Sequence, residues 1–146
     1  MFAQLLNRLT QPEPDPLDDG DARLALTALL VRVAKADGDY DAEERARILT
    51  IATTRYALSS ADAEALLKDA ETLESEAPDT VRFTRAIKDA VAYEDRRGVI
   101  EALWSVVLAD GVRDDEENAL LRLVANLLGV NDRDSALARQ AAEKSL

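Results

Sequence analysis

Apolar residues recur along most of this chain at the three- and four-residue spacing of α-helices. Two segments, 21–36 and 95–109, carry apolar residues around nearly their whole circumference, which is typical of helices buried in a core. The other predicted helices have a single apolar face, and they cover residues 41–57, 59–76, 79–91, 114–128 and 131–144. Gly and Pro are few and Ala, Leu, Glu, Asp and Arg dominate, so the pattern predicts an all-α fold.

The first ten residues predict a short helical arm that docks on the domain or on a partner. Its apolar stripe is formed by Phe2, Leu5, Leu6 and Leu9. Residues 11–20 contain three prolines and four acidic residues, which favours an extended linker. We therefore assign residues 1–20 to an arm and linker, and residues 21–146 to one helical domain.

A short acidic stretch occurs twice, 73 positions apart. The first acidic turn, residues 36–44, reads Ala-Asp-Gly-Asp-Tyr-Asp-Ala-Glu-Glu, and the second acidic turn, residues 109–117, reads Ala-Asp-Gly-Val-Arg-Asp-Asp-Glu-Glu. Each follows one of the two very apolar helices. The chain therefore predicts an internally duplicated bundle of about seven helices. Two three-helix units, 21–76 and 95–144, are related by a pseudo-twofold axis and joined by a connecting helix at 79–93.

Helix-capping chemistry explains most residues of the first acidic turn. Gly38 ends one helix, and Asp41 with Glu44 forms a capping box that opens the next. The second acidic turn repeats this arrangement with Gly111, Asp114 and Glu117. Ser59 and Asn131 predict equivalent caps at the third helix of each unit.

Two residues of the central helices have structural interpretations. Gly98 occupies the position of Ala25 in the first unit, and small residues there predict a close approach of the two central helices. Trp104 is interpreted as a core residue rather than as a platform for a ligand.

Capping does not explain Asp37 and Asp110. Each lies in the predicted last turn of a helix, where the helix dipole is negative and a carboxylate is unfavourable. A divalent cation held between the helix end and the next helix start would remove this conflict, and hard cations such as Ca²⁺, Mg²⁺ or Mn²⁺ prefer oxygen ligands. The candidate metal ligands are Asp37, Asp39, Asp41, Glu44, Asp110, Asp114 and Glu117.

The metal hypothesis has a structural alternative. The spacing Asp37-x-Asp39-x-Asp41 is like the start of an EF-hand loop, but Ala42 and Ile48 replace the Gly and Glu that such a loop requires. Any site here is therefore shorter than an EF-hand. Alternatively, the aspartates that precede each glycine only cap the following helix through a nearby backbone N–H, and no ion is needed.

Composition narrows the possible functions. The chain has 29 acidic and 18 basic residues and a formal net charge of −11, so its field repels nucleic acid and anionic lipid. It has 0 Cys and 0 His, which excludes thiolate and imidazole chemistry. No secretory signal and no apolar run of about 20 residues is evident, so we expect a cytoplasmic protein.

The combination of an apolar helix, Ala-Asp-Gly, and Asp-x-Glu-Glu opening a second helix resembles the TerB-like family, which is named for tellurite resistance. The resemblance covers about residues 21–128 and occurs twice. It implies an internally duplicated all-helical fold and divalent metal binding by acidic clusters, which here correspond to Asp37, Asp41, Glu44, Asp110, Asp114 and Glu117. Val112 and Arg113 make the second acidic turn less acidic than the first, which weakens the case for an equivalent second site.

The sequence therefore predicts a non-enzymatic, TerB-like stress-response module that binds a divalent cation and has a protein partner. The alternative is a protein-interaction scaffold without metal, in which the apolar arm and the acidic body make the contacts. Paired carboxylates could serve as acid and base. However, no nucleophile stands out and no glycine-rich phosphate loop is present, so an enzyme is the least favoured class.

Overall fold

The computed structural model describes the chain in four stretches. It covers the backbone of residues 3–9, 18–35, 40–109 and 115–144, and the side chains of these residues except 8, 9, 19, 106–109, 115–118 and 120. Within these stretches the chain forms eight α-helices and no strand. The helices are α1 (Ala3–Leu9), α2 (Asp19–Ala34), α3 (Ala42–Tyr56), α4 (Ser60–Glu76), α5 (Thr80–Ala90), α6 (Tyr93–Ala109), α7 (Asp115–Leu127) and α8 (Asp132–Lys144). The all-α prediction is confirmed, and none of these helices is both long and apolar enough to cross a bilayer.

Polar caps fix where most helices begin. At five helix starts a side-chain oxygen accepts a hydrogen bond from the backbone N–H three residues later, at 2.8–3.2 Å. The capping residues are Asp18, Asp41, Ser59, Asp79 and Asn131. The caps at Asp41, Ser59 and Asn131 are the ones that the sequence predicts.

The start of α2 differs from the prediction. Asp18 accepts a hydrogen bond from the backbone N–H of Asp21 at 2.8 Å, so α2 begins at Asp19, two residues earlier than expected. Gly20 therefore lies inside the helix rather than in the linker. At the other end, α2 stops at Ala34, and the predicted helix-ending Gly38 lies outside the described residues.

Helices α2 and α6 form the middle of the bundle. Helix α2 contacts α3, α4, α5, α6 and α7, and its most extensive contact is with α4, while that of α6 is with α8. Apolar residues on all sides of α2 are buried, as the sequence predicts. In α6, Val99, Ile100 and Leu103 are fully buried, and Trp104 is 4% exposed, as expected of a core residue.

Glycine at position 98 has a structural reason that the sequence does not predict. A Cβ built on Gly98 would lie 2.6 Å from Cζ of Arg55, and its three nearest atoms all belong to that guanidinium group. The missing side chain therefore makes room for Arg55 of α3. Ala25, the corresponding residue of the first unit, is fully buried in α2.

The amino-terminal arm forms α1 and packs against α5. Leu5 is 7% exposed and joins the core, and Leu6 packs partly against it. The side chains of Phe2 and Leu9, the other predicted members of the stripe, lie outside the described residues. Of the two predicted docking sites, the arm occupies the one on its own domain.

Candidate functional site

The described part of the first acidic turn places two candidate ligands at the start of α3. The Asp41 side chain accepts a hydrogen bond from the backbone N–H of Glu44 at 2.9 Å, so it caps α3 as predicted. Asp41 is exposed, whereas Glu44 is only 8% exposed. The positive end of the α3 dipole thus carries two carboxylates, the exposed one of Asp41 and the buried one of Glu44.

The side chains of the other five candidate ligands lie outside the described part of the chain. Asp37, Asp39, Asp110 and Asp114 lie outside the described residues, and Glu117 belongs to α7 but its side chain is not described. Within the described part of the chain, no three acidic side chains are grouped closely enough to hold a metal ion. The predicted grouping around each acidic turn therefore stays a prediction.

Two cationic side chains, those of Arg32 and Lys35, lie at the end of α2, immediately before the first acidic turn. Arg32 Nε donates to Glu74 Oε1 at 2.8 Å, and Lys35 Nζ donates to Glu74 Oε2 at 2.8 Å. Arg32 also donates to the backbone oxygens of Pro78 at 2.9 Å and Glu74 at 3.2 Å. Burial raises the pKa of the Glu74 carboxyl, but the hydrogen bonds from Lys35 and Arg32 outweigh burial and hold this pKa below its usual value.

A third cationic side chain, that of Arg45, lies on the other side of the first acidic turn. Arg45 of α3 pairs with Glu64 at 2.5 Å and with Glu71 at 3.3 Å, and both partners belong to α4. The Tyr40 hydroxyl is buried close to this cluster, and burial, followed by the Glu71 carboxylate, raises its pKa well above the usual value. This hydroxyl makes no hydrogen bond of ordinary geometry to a described residue. The Tyr40 ring lies under Lys35, whose Nζ is 5.8 Å from the ring centroid.

Three cationic residues near the first acidic turn, Arg32, Lys35 and Arg45, are therefore engaged by acids of α4. Sequence reasoning missed these pairs because they join residues 19 to 42 positions apart. A signal was present in α4, where Glu64, Glu71 and Glu74 fall on one helical stripe beside buried Leu67 and Leu73. Acids that follow an apolar stripe predict cationic partners on the neighbouring helix.

A cleft of about 610 Å³ lies between α6, α7 and α8, at the edge of Trp104. The Arg139 guanidinium lies over the Trp104 ring, 5.2 Å from its centroid, and pairs with Glu143 at 3.1 Å. Arg122 and Asp132 add one charge of each sign to the lining. The described lining therefore carries two positive and two negative side chains.

The all-helical fold of the described residues is what the sequence resemblance implies. A family model described as tellurite resistance protein TerB matches residues 23–140. The chain belongs to the TerB family. The TerB match begins in the second turn of α2 and ends within α8, so α1 lies outside it. Searches of curated proteins and of solved structures gave no match.

Proposed function

We propose that this TerB protein is a non-enzymatic module that binds a divalent cation at the first acidic turn, through Asp37, Asp39, Asp41 and Glu44. The observation that carries the proposal is that the nearby arginine and lysine side chains pair with acids of α4. Arg32, Lys35 and Arg45 each pair with an acid of α4, which draws their positive charge away from the turn. A bound cation would add positive charge among the acids of the turn.

The two described candidates suit an oxygen-ligand site. An ionised carboxylate offers about four lone-pair positions, so Asp41 can cap α3 and still contribute oxygen to a metal. Glu44 is buried, and ligands held by surrounding packing lose less conformational entropy when they bind. Backbone carbonyls and water would complete the six to eight oxygens that Ca²⁺ takes.

We propose a weaker site, or none, at the second acidic turn. Its candidate ligands are Asp110, Asp114 and Glu117, but Val112 stands where the first turn has Asp39. Arg113 adds a positive charge. Both differences lower the attraction for a cation.

A cytoplasmic stress-response role with an unidentified protein partner completes the proposal, and it is supported by membership of a family named for tellurite resistance. The metal-free scaffold alternative depends on the amino-terminal arm being available to a partner. In this structure α1 packs on α5 and buries Leu5, which counts against a partner on that face of the arm.

Thermal melting of the full chain with and without Ca²⁺, Mg²⁺ or Mn²⁺ tests the cation site. An ion present at about one hundred times its Kd stabilises the folded state by about 2.7 kcal/mol. For a chain of this size we expect the Tm to rise by about 5–10 °C. The Asp37→Asn and Asp41→Asn variants should lose most of this rise, and Asn caps a helix as well as Asp does.

Two further variants sharpen this test. Glu101→Gln removes an exposed acid from the middle of α6 and should keep the full ion-induced rise. Asp110→Asn should reduce the rise less than Asp37→Asn. The proposal fails if no ion raises the Tm, or if Asp37→Asn responds to the ions as the wild type does.

A further inference from the structure

A second cleft, of about 410 Å³, opens between α2, α3 and α6. It is lined by Ala22, Arg23, Leu26, Arg55, Tyr56 and Asp95. It lies near the start of α2, whereas the first acidic turn follows the end of that helix, about 18 Å away along the helix axis. The cleft is therefore separate from the proposed cation site.

Two guanidinium groups converge on one aromatic ring in this cleft. The Cζ atoms of Arg23 and Arg55 lie 4.8 Å and 5.8 Å from the centroid of the Tyr56 ring. Among the described residues, neither arginine has a carboxylate within 4.0 Å. In a chain of net charge −11, two convergent arginines without an acidic partner are a local reversal of charge.

Glycine at position 98 contributes to this arrangement. Because a side chain there would overlap the Arg55 guanidinium, Gly98 allows that group to lie directly against α6 beside the cleft. Asp95, one turn earlier in α6, lines the same cleft but is exposed and supplies one negative charge against two positive ones. The cleft thus keeps an excess of positive charge.

The Tyr56 hydroxyl, the third polar group of the cleft beside Arg23 and Arg55, is a hydrogen-bond donor at neutral pH. Burial raises the pKa of the Tyr56 hydroxyl, and the nearby Arg55 and Arg23 charges oppose this shift only in part, so the hydroxyl keeps its proton. Ala22 and Leu26, both buried, form an apolar wall beside the three polar groups. Few convergent polar groups next to an apolar wall are typical of small-ligand sites of this volume.

We propose that this cleft binds a phosphate group, free or as the ester of a small molecule, through Arg23, Arg55 and Tyr56. A guanidinium group binds a phosphate through two parallel N–H···O hydrogen bonds. Two guanidinium groups together suit the double negative charge of a phosphate better than the single charge of a carboxylate. The volume exceeds that of a free phosphate, which leaves room for an ester group against the apolar wall. Asp95 is placed to accept a hydrogen bond from a hydroxyl of that group.

Isothermal titration of the full chain with inorganic phosphate and with glycerol 3-phosphate tests the proposal. EDTA should be present, so that a cation at the first acidic turn cannot carry the phosphate, and ionic strength should be matched with sodium chloride. We expect both probes to bind the wild type and glycerol not to bind. Tighter binding of the ester identifies a phosphomonoester as the ligand, whereas equal binding identifies free phosphate.

Matched variants separate a built site from general charge attraction. Arg23→Gln and Arg55→Gln should each weaken phosphate binding by about tenfold or more. Arg85→Gln, which removes an exposed charge from α5, should not. Arg55→Lys keeps the charge at the end of α3 but loses the planar pair of donors, so it should also bind more weakly. Circular dichroism should verify the helical content of each variant.

The outcomes that overturn the proposal are distinct. They are the absence of phosphate binding to the wild type, wild-type affinity in Arg23→Gln and Arg55→Lys, or an equal loss in Arg85→Gln. None of these results bears on the cation site, because the titration is carried out with that site kept free of metal.

Discussion

At the scale of single residues, Glu74 is the most constrained acid that the structure describes. Its side chain is 8% exposed, and its two oxygens receive separate cations, Arg32 and Lys35, both from the end of α2. Buried carboxylates cost free energy unless they are paired and hydrogen-bonded, and here both conditions are met. Removing the negative charge of Glu74 should therefore leave Arg32 and Lys35 with a weaker hydrogen-bond partner.

Glu74→Gln should lower the free energy of unfolding at about pH 7 by about 1–3 kcal/mol. Because the pKa of Glu74 is lowered in the folded state, its stabilising contribution is complete above the ordinary pKa of glutamate and is lost as the pH falls through the folded-state value. The difference between variant and wild type should therefore shrink when the pH is lowered from about 7 to a value below the ordinary pKa of glutamate. Urea denaturation at both pH values measures this.

Glu76→Gln is the matched control for this substitution. Glu76 is exposed in the same last turn of α4, so the change should alter stability by less than about 0.5 kcal/mol. A Glu74→Gln effect no larger than that of Glu76→Gln would show that the buried ion pair adds nothing.

At the scale of helices, α3 and α7 end in the same way. Ala57 and Gly129, 72 positions apart, both adopt left-handed backbone, with φ of 52° and 73°. The N–H of the following residue donates to a carbonyl five residues back, Leu58 to Thr53 and Val130 to Ala125, as in a Schellman motif. Two residues after each left-handed residue, Ser59 caps α4 and Asn131 caps α8. The two helix ends are thus alike at nearly the offset of the sequence repeat.

Exchanging the two residues should have effects of opposite sign. Gly129→Ala forces alanine into a left-handed conformation and places its Cβ 2.9 Å from Cε of Lys88, so we expect a loss of about 1–2 kcal/mol. Ala57→Gly relieves the same strain but adds freedom to the unfolded chain, so a gain of up to about 1 kcal/mol is expected. Equal signs in chemical denaturation would contradict this account.

Element boundaries could be predicted where they depend on local chemistry. The caps at Asp41, Ser59 and Asn131 use side chains three residues from the N–H groups that they accept, so the signal is contained in the sequence. The start of α2 was predicted two residues late because Asp18 follows prolines and other acids, and this composition favours a linker. The left-handed Ala57 carries no local signal.

At the scale of the whole molecule, the core could be predicted and the polar contacts between helices could not. Helices apolar on all sides must be buried, so the roles of α2 and α6 follow from the sequence. The pairing of Arg45 with α4, and the contact of Arg55 with Gly98, depend on which helices are neighbours. The same limit holds for the candidate site, since the cap at Asp41 could be predicted and the engagement of the flanking cations could not.

The arm should be held less firmly than the core. Leu103→Ala, in the middle of α6, leaves a cavity and should cost about 2–5 kcal/mol. Leu5→Ala should cost no more than about 1 kcal/mol, because the loss cannot exceed the free energy that docks α1 on α5. Denaturant unfolding of both variants measures the difference, and an equal loss would mean that α1 is an integral part of the core.

The contacts of Arg32 have a consequence for motion. One guanidinium group joins the last turn of α2 to the last turn of α4 and to the peptide oxygen of Pro78, just before α5. These three segments are mechanically coupled, because none can shift without giving up a charged hydrogen bond. Their backbone amides should therefore exchange with deuterium as one cooperative unit, and an ion captured beside α2 would slow the exchange at the corner between α4 and α5 as well.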